Sequence, residues 1–490
     1  MKLKELLYGV KIKSILGNIN SININKIEFD SRKIKKSDLF IAIKGVTVNG
    51  HDFIDSSIKN GSNSVIVENI PEETISNICY IQVEDSSYTM SIISANYYDN
   101  PSKKIKLIGI TGTNGKTTIV TLLYQLFNDL GYPSGMLSTI ENKIGTRVIK
   151  STHTTGDSLQ INNMLSKMVL SGCEYCFMEV SSHAIHQNRI SNLHFNGGVF
   201  SNITHEHLDY HKNFNEYISV KKMFFDRLSK SSFSIINKDD KNGSIMIANT
   251  KSRKLTYSLK TISNFKCKIL ESKIDGMLLK IQNSEIWVNI IGEFNAYNIL
   301  AVYSTAIALG LAKEKILEKI SLLKSPEGRF HTIRNLRNIT GIIDYMHTPD
   351  AYRNVLSVLN KIRKNTEKLI IVFGCGGDRD KSKRSQMTSI ACNMTDQVII
   401  TTDNPRTESI DNIISDMTSN LDSNLRKKIL VISDRRQAIK TACAIANDDD
   451  IILIAGKGHE KYQDINGLKQ PFDDVIELVE SLNINTENAI

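Results

Sequence analysis

The chain has 490 residues, of which 41% are hydrophobic and 23% charged, an ordinary globular balance with length for roughly two to four domains. It holds no run of about 18 apolar residues, so a membrane-spanning helix is excluded, and its composition is not that of a disordered chain. The net charge of +9 is spread along the sequence rather than gathered into a strip, which argues against a nucleic-acid partner and for an anionic small molecule or a lysine-rich genome.

The opening MKLKELLYGVKIKSILG has charges interrupting each apolar patch and does not read as a secretory leader. Seven mostly isolated cysteines suit a reducing cytoplasm; Cys173 and Cys176 form a lone C-x-x-C with no zinc-site partner and are expected in packing. A small α/β unit is predicted from Ile24 to about Tyr98, with strands at Asp38–Ile43 and Ser64–Glu68 and a helix ending at Ile58–Gly61. Asp30-Ser31-Arg32 reads as a surface turn after Ile27-Glu28-Phe29, and Tyr98–Ser102 as a linker.

The next domain opens on Lys106–Phe127, KLIGITGTNGKTTIVTLLYQLF. An apolar run breaks into Thr111–Thr118, after which Val120, Leu122, Leu123, Leu126 and Phe127 return at helical spacing. Strand, glycine loop and helix in that order aim backbone N–H groups and a helix N-terminus at one point, where Lys116 adds charge and Thr117 a hydroxyl for magnesium. The general phosphate-loop pattern places a glycine at the position held here by Ile110, so Gly112 marks a tighter variant for a nucleoside triphosphate.

Ser151–Asp157 precedes an amphipathic helix through Ile161, Met164, Leu165 and Met168, and is either a second anion site or plain N-capping. A buried strand at Tyr175–Met178 delivers Glu179-Val180-Ser181-Ser182-His183, and another at Val199–Thr204 delivers His205-Glu206-His207-Leu208-Asp209-Tyr210-His211. A carboxylate and histidines at strand ends beside a polyphosphate loop suggest a divalent metal, with magnesium favoured by oxygen ligands. An apolar helix runs from Gly292 to near Gly310 and carries Asn298, whose role the residues leave open. The last domain starts around Ser325–Arg329 and alternates helices with strands at Gly341–Asp344, Leu369–Phe373, Val398–Thr401, Ile429–Ile432 and Ile451–Ala455. Several of these end in polar residues, among them Arg379, Asp403, Asn404, Arg406 and Glu460, suited to a ligand with both carboxylate and ammonium. The fold class is therefore α/β in three domains: a small N-terminal α/β domain over 1–100, a central P-loop ATPase-like domain with a mostly parallel sheet over 101–325, and a C-terminal Rossmann-like domain over 326–490. The tail from Leu482 to Asn488 is expected to fray.

Taken together, TGTNGKTT, EVSSHAIHQNRI, FSNITHEHLDYH, GEFNAYNIL, DYMHTPDA, FGCGGDRDKSKR, TTDNPRTE and GKGHEKYQ resemble the Mur ligase family from about Phe29 to Phe472, in the family's order. The resemblance implies a cytoplasmic, monomeric ATP-dependent amide ligase of peptidoglycan precursor synthesis, adding meso-diaminopimelate to UDP-N-acetylmuramoyl-L-alanyl-D-glutamate through an acyl phosphate. L-Lysine is the alternative acceptor; a folate polyglutamylating ligase and a nucleic-acid-stimulated ATPase are more distant readings. By resemblance Gly112, Thr113, Asn114, Gly115, Lys116, Thr117 and Thr118 bind the ATP phosphates, with Asn298, Arg329 and Asp344 completing the nucleotide site. Thr117, Glu179 and His207 match magnesium ligands, and Lys221 matches a lysine that the family carbamylates with carbon dioxide; by the residues alone it reads as a solvated helix lysine. Phe29 and Ser31 match the uridine-nucleotide site, and His153, Thr154, Thr155, Ser181, Gln187 and Arg189 the sugar-peptide contacts. Arg379, Asp403, Asn404, Pro405, Arg406, Gly456 and Glu460 match the amino-acid pocket, Arg406 pairing with the far carboxylate of diaminopimelate. His153, Met346 and Val475-Ile476 depart from the family's usual asparagine, alanine and Arg-Glu.

Overall fold

The structure, a computed structural model, describes residues 1–45, 48–151, 153–204, 206, 210–419 and 421–483. They form two compact units, Met1–Lys266 with Ala301–Ile316, and Cys267–Leu300 with Leu317–Ile490.

In the first unit a five-stranded sheet has the order β1-β5-β4-β3-β2, built from β1 (Ile12–Leu16), β2 (Ile27–Glu28), β3 (Leu39–Ile41), β4 (Ser64–Val67) and β5 (Cys79–Val83). Only β1 runs antiparallel to its neighbour. Beside this sheet lies helix Ser86–Tyr97, capped by Asp85, and the Ser87 hydroxyl donates to the Gln187 carbonyl at 2.7 Å.

A larger sheet in the same unit comprises β6 (Lys106–Thr111), β7 (Ser134–Leu137), β8 (Glu141–Ile144), β9 (Arg147–Lys150), β10 (Tyr175–Glu179), β11 (Gly197–Phe200), β12 (Phe233–Asn237) and β13 (Arg253–Ser258), in the order β13-β12-β11-β6-β10-β7-β8-β9. The strands from β13 to β7 are parallel. Their apolar runs are covered by helices, as a parallel sheet requires. The edge hairpin β8–β9 is antiparallel. β11 ends at Phe200, four residues short of the predicted strand, because Ser201–Thr204 leave the ladder to brace the loop after β6.

The second unit begins at Cys267 within β14 (Phe265–Lys273), which leads into an antiparallel meander with β15 (Gly276–Ile281) and β16 (Ser284–Val288). The six-stranded sheet has the order β17-β18-β22-β19-β20-β21, from β17 (His331–Arg334), β18 (Thr340–Asp344), β19 (Leu369–Phe373), β20 (Gln397–Ile400), β21 (Ile429–Val431) and β22 (Ile451–Ala455). All but β17 are parallel, so the carboxyl ends of β18, β22, β19 and β20 share one edge. The hairpin β23 (Tyr462–Ile465) and β24 (Leu468–Pro471) follows, then helix Asp474–Ser481. Leu482, expected in a frayed tail, is 6% exposed and packs in this unit's core; residues 484–490 lie outside the described set.

Candidate active site

Three of the larger sheet's strands end around one loop. β6 leads into Gly112–Gly115, and Lys116 starts the helix Lys116–Asp129. Gly112 has φ +150°, and a Cβ there would lie 2.0 Å from the Ser201 hydroxyl and 2.9 Å from the Asn202 carbonyl, so glycine alone lets the loop pass β11. Thr113 N–H donates to the Asn202 carbonyl at 2.8 Å, Asn114 N–H to Asn202 Oδ1 at 3.0 Å, and the Ser201 hydroxyl to the Asn114 carbonyl at 2.6 Å. Thr117 and Thr118 are 5% and 7% exposed at the helix start.

Two lysines meet at this loop. Lys116 Nζ donates to the carbonyls of Gly112 at 2.8 Å and Thr113 at 2.6 Å, and Lys221 Nζ donates to the same Gly112 carbonyl at 2.9 Å. Lys221 is 1% exposed, which overturns the solvated-lysine reading. Helix Phe214–Asp226 buries Tyr217, Val220, Lys221, Phe224 and Phe225, so the lysine lies on the helix's core-facing stripe. Burial first, and the charge of Lys116 second, push its ammonium well below the ordinary lysine range, against a smaller pull from Glu206.

β10 delivers Glu179, fully buried, whose carboxylate accepts from Thr139 N–H at 2.7 Å and the Thr139 hydroxyl at 3.1 Å. The Thr139 hydroxyl also reaches Thr154 at 3.1 Å, the Thr155 hydroxyl donates to the Glu179 carbonyl at 2.8 Å, and Ser181 N–H donates to the Thr155 hydroxyl at 3.1 Å. Arg189 donates to the Thr155 carbonyl at 2.8 Å and to Gln187 Oε1 at 3.0 Å. Thr154, Thr155, Ser181, Gln187 and Arg189 are thus gathered around one strand end. His153 and Thr154 line a small, partly open pocket there with Leu137, Gln160 and Met178. Asp157 caps helix Ser158–Leu170 through Gln160 N–H at 2.9 Å, the capping half of the open choice. His207 lies outside the described residues, and among those described no group of three His, Cys, Asp or Glu side chains converges on a point. In the five-stranded sheet Phe29 is 38% exposed and Ser31 6%, flanking Asp30, which caps the turn Ser31–Lys33.

The second unit holds two clusters. In one, Asn404 Nδ2 donates to Glu460 Oε2 at 2.7 Å, Lys457 Nζ donates to Asn404 Oδ1 at 3.0 Å, and Arg406 donates to the Gly377 carbonyl. Gly456, at φ +112°, would place a Cβ 2.4 Å from Asp403 Oδ2. Asp403, Asn404 and Pro405 are buried beside them, while Arg379 is exposed. In the other, Asp344 accepts from Phe330 N–H at 2.7 Å, and the Arg329 guanidinium lies 4.6 Å from the Tyr345 ring centroid. Burial raises Asp344 to about 6 against the pull of Arg329, and lowers the neighbouring His459 to about 3. Asn298, 5% exposed, donates to Asn295 at 2.9 Å.

Comparison with known proteins gives this arrangement a family. Three family models match: Mur ligase family, catalytic domain over 23–101; Mur ligase middle domain over 110–306; and Mur ligase, glutamate ligase domain over 328–458. A Cytophaga hutchinsonii protein named UDP-N-acetylmuramoyl-L-alanyl-D-glutamate--2,6-diaminopimelate ligase is 48% identical, with 99% of each chain covered.

The chain belongs to the Mur ligase family.

A Bacteroides fragilis Mur ligase of the same name is 48% identical over 97% of this chain and 98% of its own. A solved structure of a 2,6-diaminopimelate ligase with that name covers 99% of each chain at 30% identity and a TM-score of 0.70. The fold is the three-domain α/β architecture of Mur ligases, and the chain is an enzyme of this ATP-dependent ligase family. Sequence reasoning gave no role to several of this Mur ligase's supporting residues: Ser201 and Asn202 behind the loop, Thr139 on Glu179, Tyr210, whose hydroxyl accepts from Gln187 Nε2 at 3.0 Å and lies 2.9 Å from His186 Nδ1, and Lys457. Lys457 lies two residues beyond the buried strand β22, in a polar strand end and a quoted motif that were read from sequence without giving the lysine a role. The departures are accommodated locally: Met346 fills the core at 2% exposure, and Val475 follows Asp474, which is buried in a pair with Arg435 at 2.7 Å.

Proposed function

We propose that this Mur ligase uses ATP to join meso-diaminopimelate to the side-chain carboxylate of the D-glutamyl residue in UDP-N-acetylmuramoyl-L-alanyl-D-glutamate, a step of peptidoglycan precursor synthesis in the cytoplasm. The observation that carries it is the convergence of Lys116 and the dehydrated Lys221 on the Gly112 carbonyl, within a glycine loop that opens a helix. The names of the relatives at 48% identity supply the substrates.

The substrate carboxylate takes the terminal phosphoryl group of ATP, giving an acyl phosphate and ADP. A neutral amine of the incoming amino acid then attacks the acyl carbon. A C–N bond forms, the C–O bond to phosphate breaks, and the nitrogen loses a proton. No protein nucleophile enters this scheme. The loop N–H groups, the helix start and Lys116 neutralise charge on the transferred group, and the remaining work is positioning.

Lys221, held toward its neutral form, has the lone pair needed to add carbon dioxide, forming an N–C bond with release of one proton. The resulting carbamate is an anionic oxygen donor, where an ammonium would repel a cation. Thr117, Glu179 and that carbamate fit a magnesium site in donor type, His207 lying outside the described residues, and magnesium bound there would neutralise phosphate charge. Phe29 and Ser31 are assigned to the uridine nucleotide, and His153, Thr154, Thr155, Ser181, Gln187 and Arg189 to the sugar-peptide. Asn298, Arg329 and Asp344 are assigned to ATP, and Arg379, Asp403, Asn404, Pro405, Arg406, Gly456 and Glu460 to the amino acid. The test is phosphate release with ATP, magnesium and the UDP-muramoyl dipeptide, comparing meso-diaminopimelate, L-lysine and no amino acid. Release should depend on diaminopimelate; equal or faster turnover with lysine would overturn the acceptor assignment.

A further inference from the structure

We infer that Lys457 is a positioning residue that sets acceptor selectivity, fixing the Asn404 amide and offsetting one of two carboxylates at the second unit's strand ends. The inference rests on the acceptor assignment above. Lys457 has 0% side-chain exposure, whereas the carboxylates it faces, Asp403 at 3.9 Å and Glu460 at 3.3 Å, keep 11% and 18%. The carboxylates therefore front the site and the ammonium stands behind them. It is positioned to shape the site without touching the ligand.

Its hydrogen bond decides which way Asn404 points. Asn404 Oδ1 accepts from Lys457 Nζ at 3.0 Å and from Asp464 N–H at 2.9 Å, which leaves Nδ2 to donate to Glu460 Oε2 at 2.7 Å. A flipped amide would set its NH2 group against an ammonium and an N–H, and its oxygen against a carboxylate. One lysine thus orients both the asparagine and, through it, the glutamate.

Charge gives the second argument. Asp403, Glu460 and Lys457 together carry one net negative charge, matched to a single ligand ammonium. A diamino-dicarboxylic acid is electrically neutral overall, with its second carboxylate available to arginine. A diamino-monocarboxylic acid carries one more positive charge. Removing the lysine leaves two clustered carboxylates, which favours the more cationic ligand.

The experiment uses the full chain as wild type, Lys457→Gln and Lys457→Arg, with initial rates of phosphate release against meso-diaminopimelate and L-lysine. Lys457→Gln should raise KM for diaminopimelate about tenfold or more and cut the kcat/KM preference over lysine by about tenfold. KM for ATP and for the sugar nucleotide should stay within about twofold. Lys457→Arg, which keeps the charge, should recover much of the preference. An unchanged preference in Lys457→Gln, or a proportional loss toward every substrate, would overturn the inference. Lys457→Met serves as a second neutral variant should the first not fold, and failure of both to fold would assign the lysine to folding and overturn its selectivity role. Wild-type inactivity with diaminopimelate would instead sink the acceptor assignment, so the two failures are distinguishable.

Discussion

At the scale of single residues, the informative groups are those whose burial contradicts their chemistry. Lys221 is one: in sequence it is a lysine in a lysine-rich chain, and only its place in the Tyr217, Val220, Phe224 stripe marks it as turned inward. Glu179 was legible because it ends an apolar strand; its Thr139 partner was not, since that contact spans 40 residues. Asp344 yields a pH prediction. Burial lifts its folded-state pKa from 3.8 to about 6. Between those values the folded chain holds a proton that the unfolded chain has released, so stability falls as pH rises through the window and the loss is complete above about 6. Asp344→Asn removes that penalty. The second unit of the variant should be more stable than wild type at neutral pH, by roughly 1–3 kcal/mol, and equal to it near pH 4 in urea unfolding followed by hydrogen exchange. A gain of the same size at both pH values would refute the titration as its cause. Activity should fall, because the carboxylate assigned to ATP is lost.

At the scale of elements, legibility followed unbroken apolar runs: the half-exposed β21 was read, while the buried β7 and β12, interrupted by Gly135 and Ser234, were not. β19 and β22 were read to the residue, and β10 to within one, because parallel strands buried on both faces are unbroken apolar runs. β9 and β24 are almost wholly exposed, carry no apolar alternation, and were not read at all. The loop after β6 was legible as a phosphate cradle, but its bracing by Ser201 and Asn202 was hidden inside a segment that looked like more strand. That bracing makes a prediction for the loop as a unit. Gly112→Ala should abolish ADP binding by calorimetry while the chain stays folded, since its Cβ meets Ser201 Oγ at 2.0 Å. Removing that hydroxyl in Gly112→Ala/Ser201→Gly should restore little, because the Asn202 backbone still stands at 2.9 Å and 3.1 Å and φ remains +150°. Full rescue would show that the side-chain clash alone sets the glycine requirement.

For the molecule as a whole, the division into two compact units means that a buried defect in one should be read out there. The family's motifs lie in both units, which is why a resemblance spread along the chain identified the fold when no single motif could. The second unit's sheet depends on one pair that sequence inspection passes over. Arg435 and Asp474 are each 0% exposed and joined by bonds of 2.7 Å from both Nε and Nη2, and Arg435 also donates to the Ala455 carbonyl at 3.1 Å, at the end of β22. The arginine thereby ties helix Asp474–Ser481 to the strand edge that presents Gly456 and Lys457. Deleting one partner strands the other's charge in the interior, at about 3–5 kcal/mol. Asp474→Asn should therefore lower hydrogen-exchange protection across β18, β19 and β22 and weaken diaminopimelate binding, while protection of β6 and β10 remains near wild type. Equal loss in both units would mean that the chain unfolds as one cooperative body, and retained protection in the second would show that the pair does not hold the strand edge.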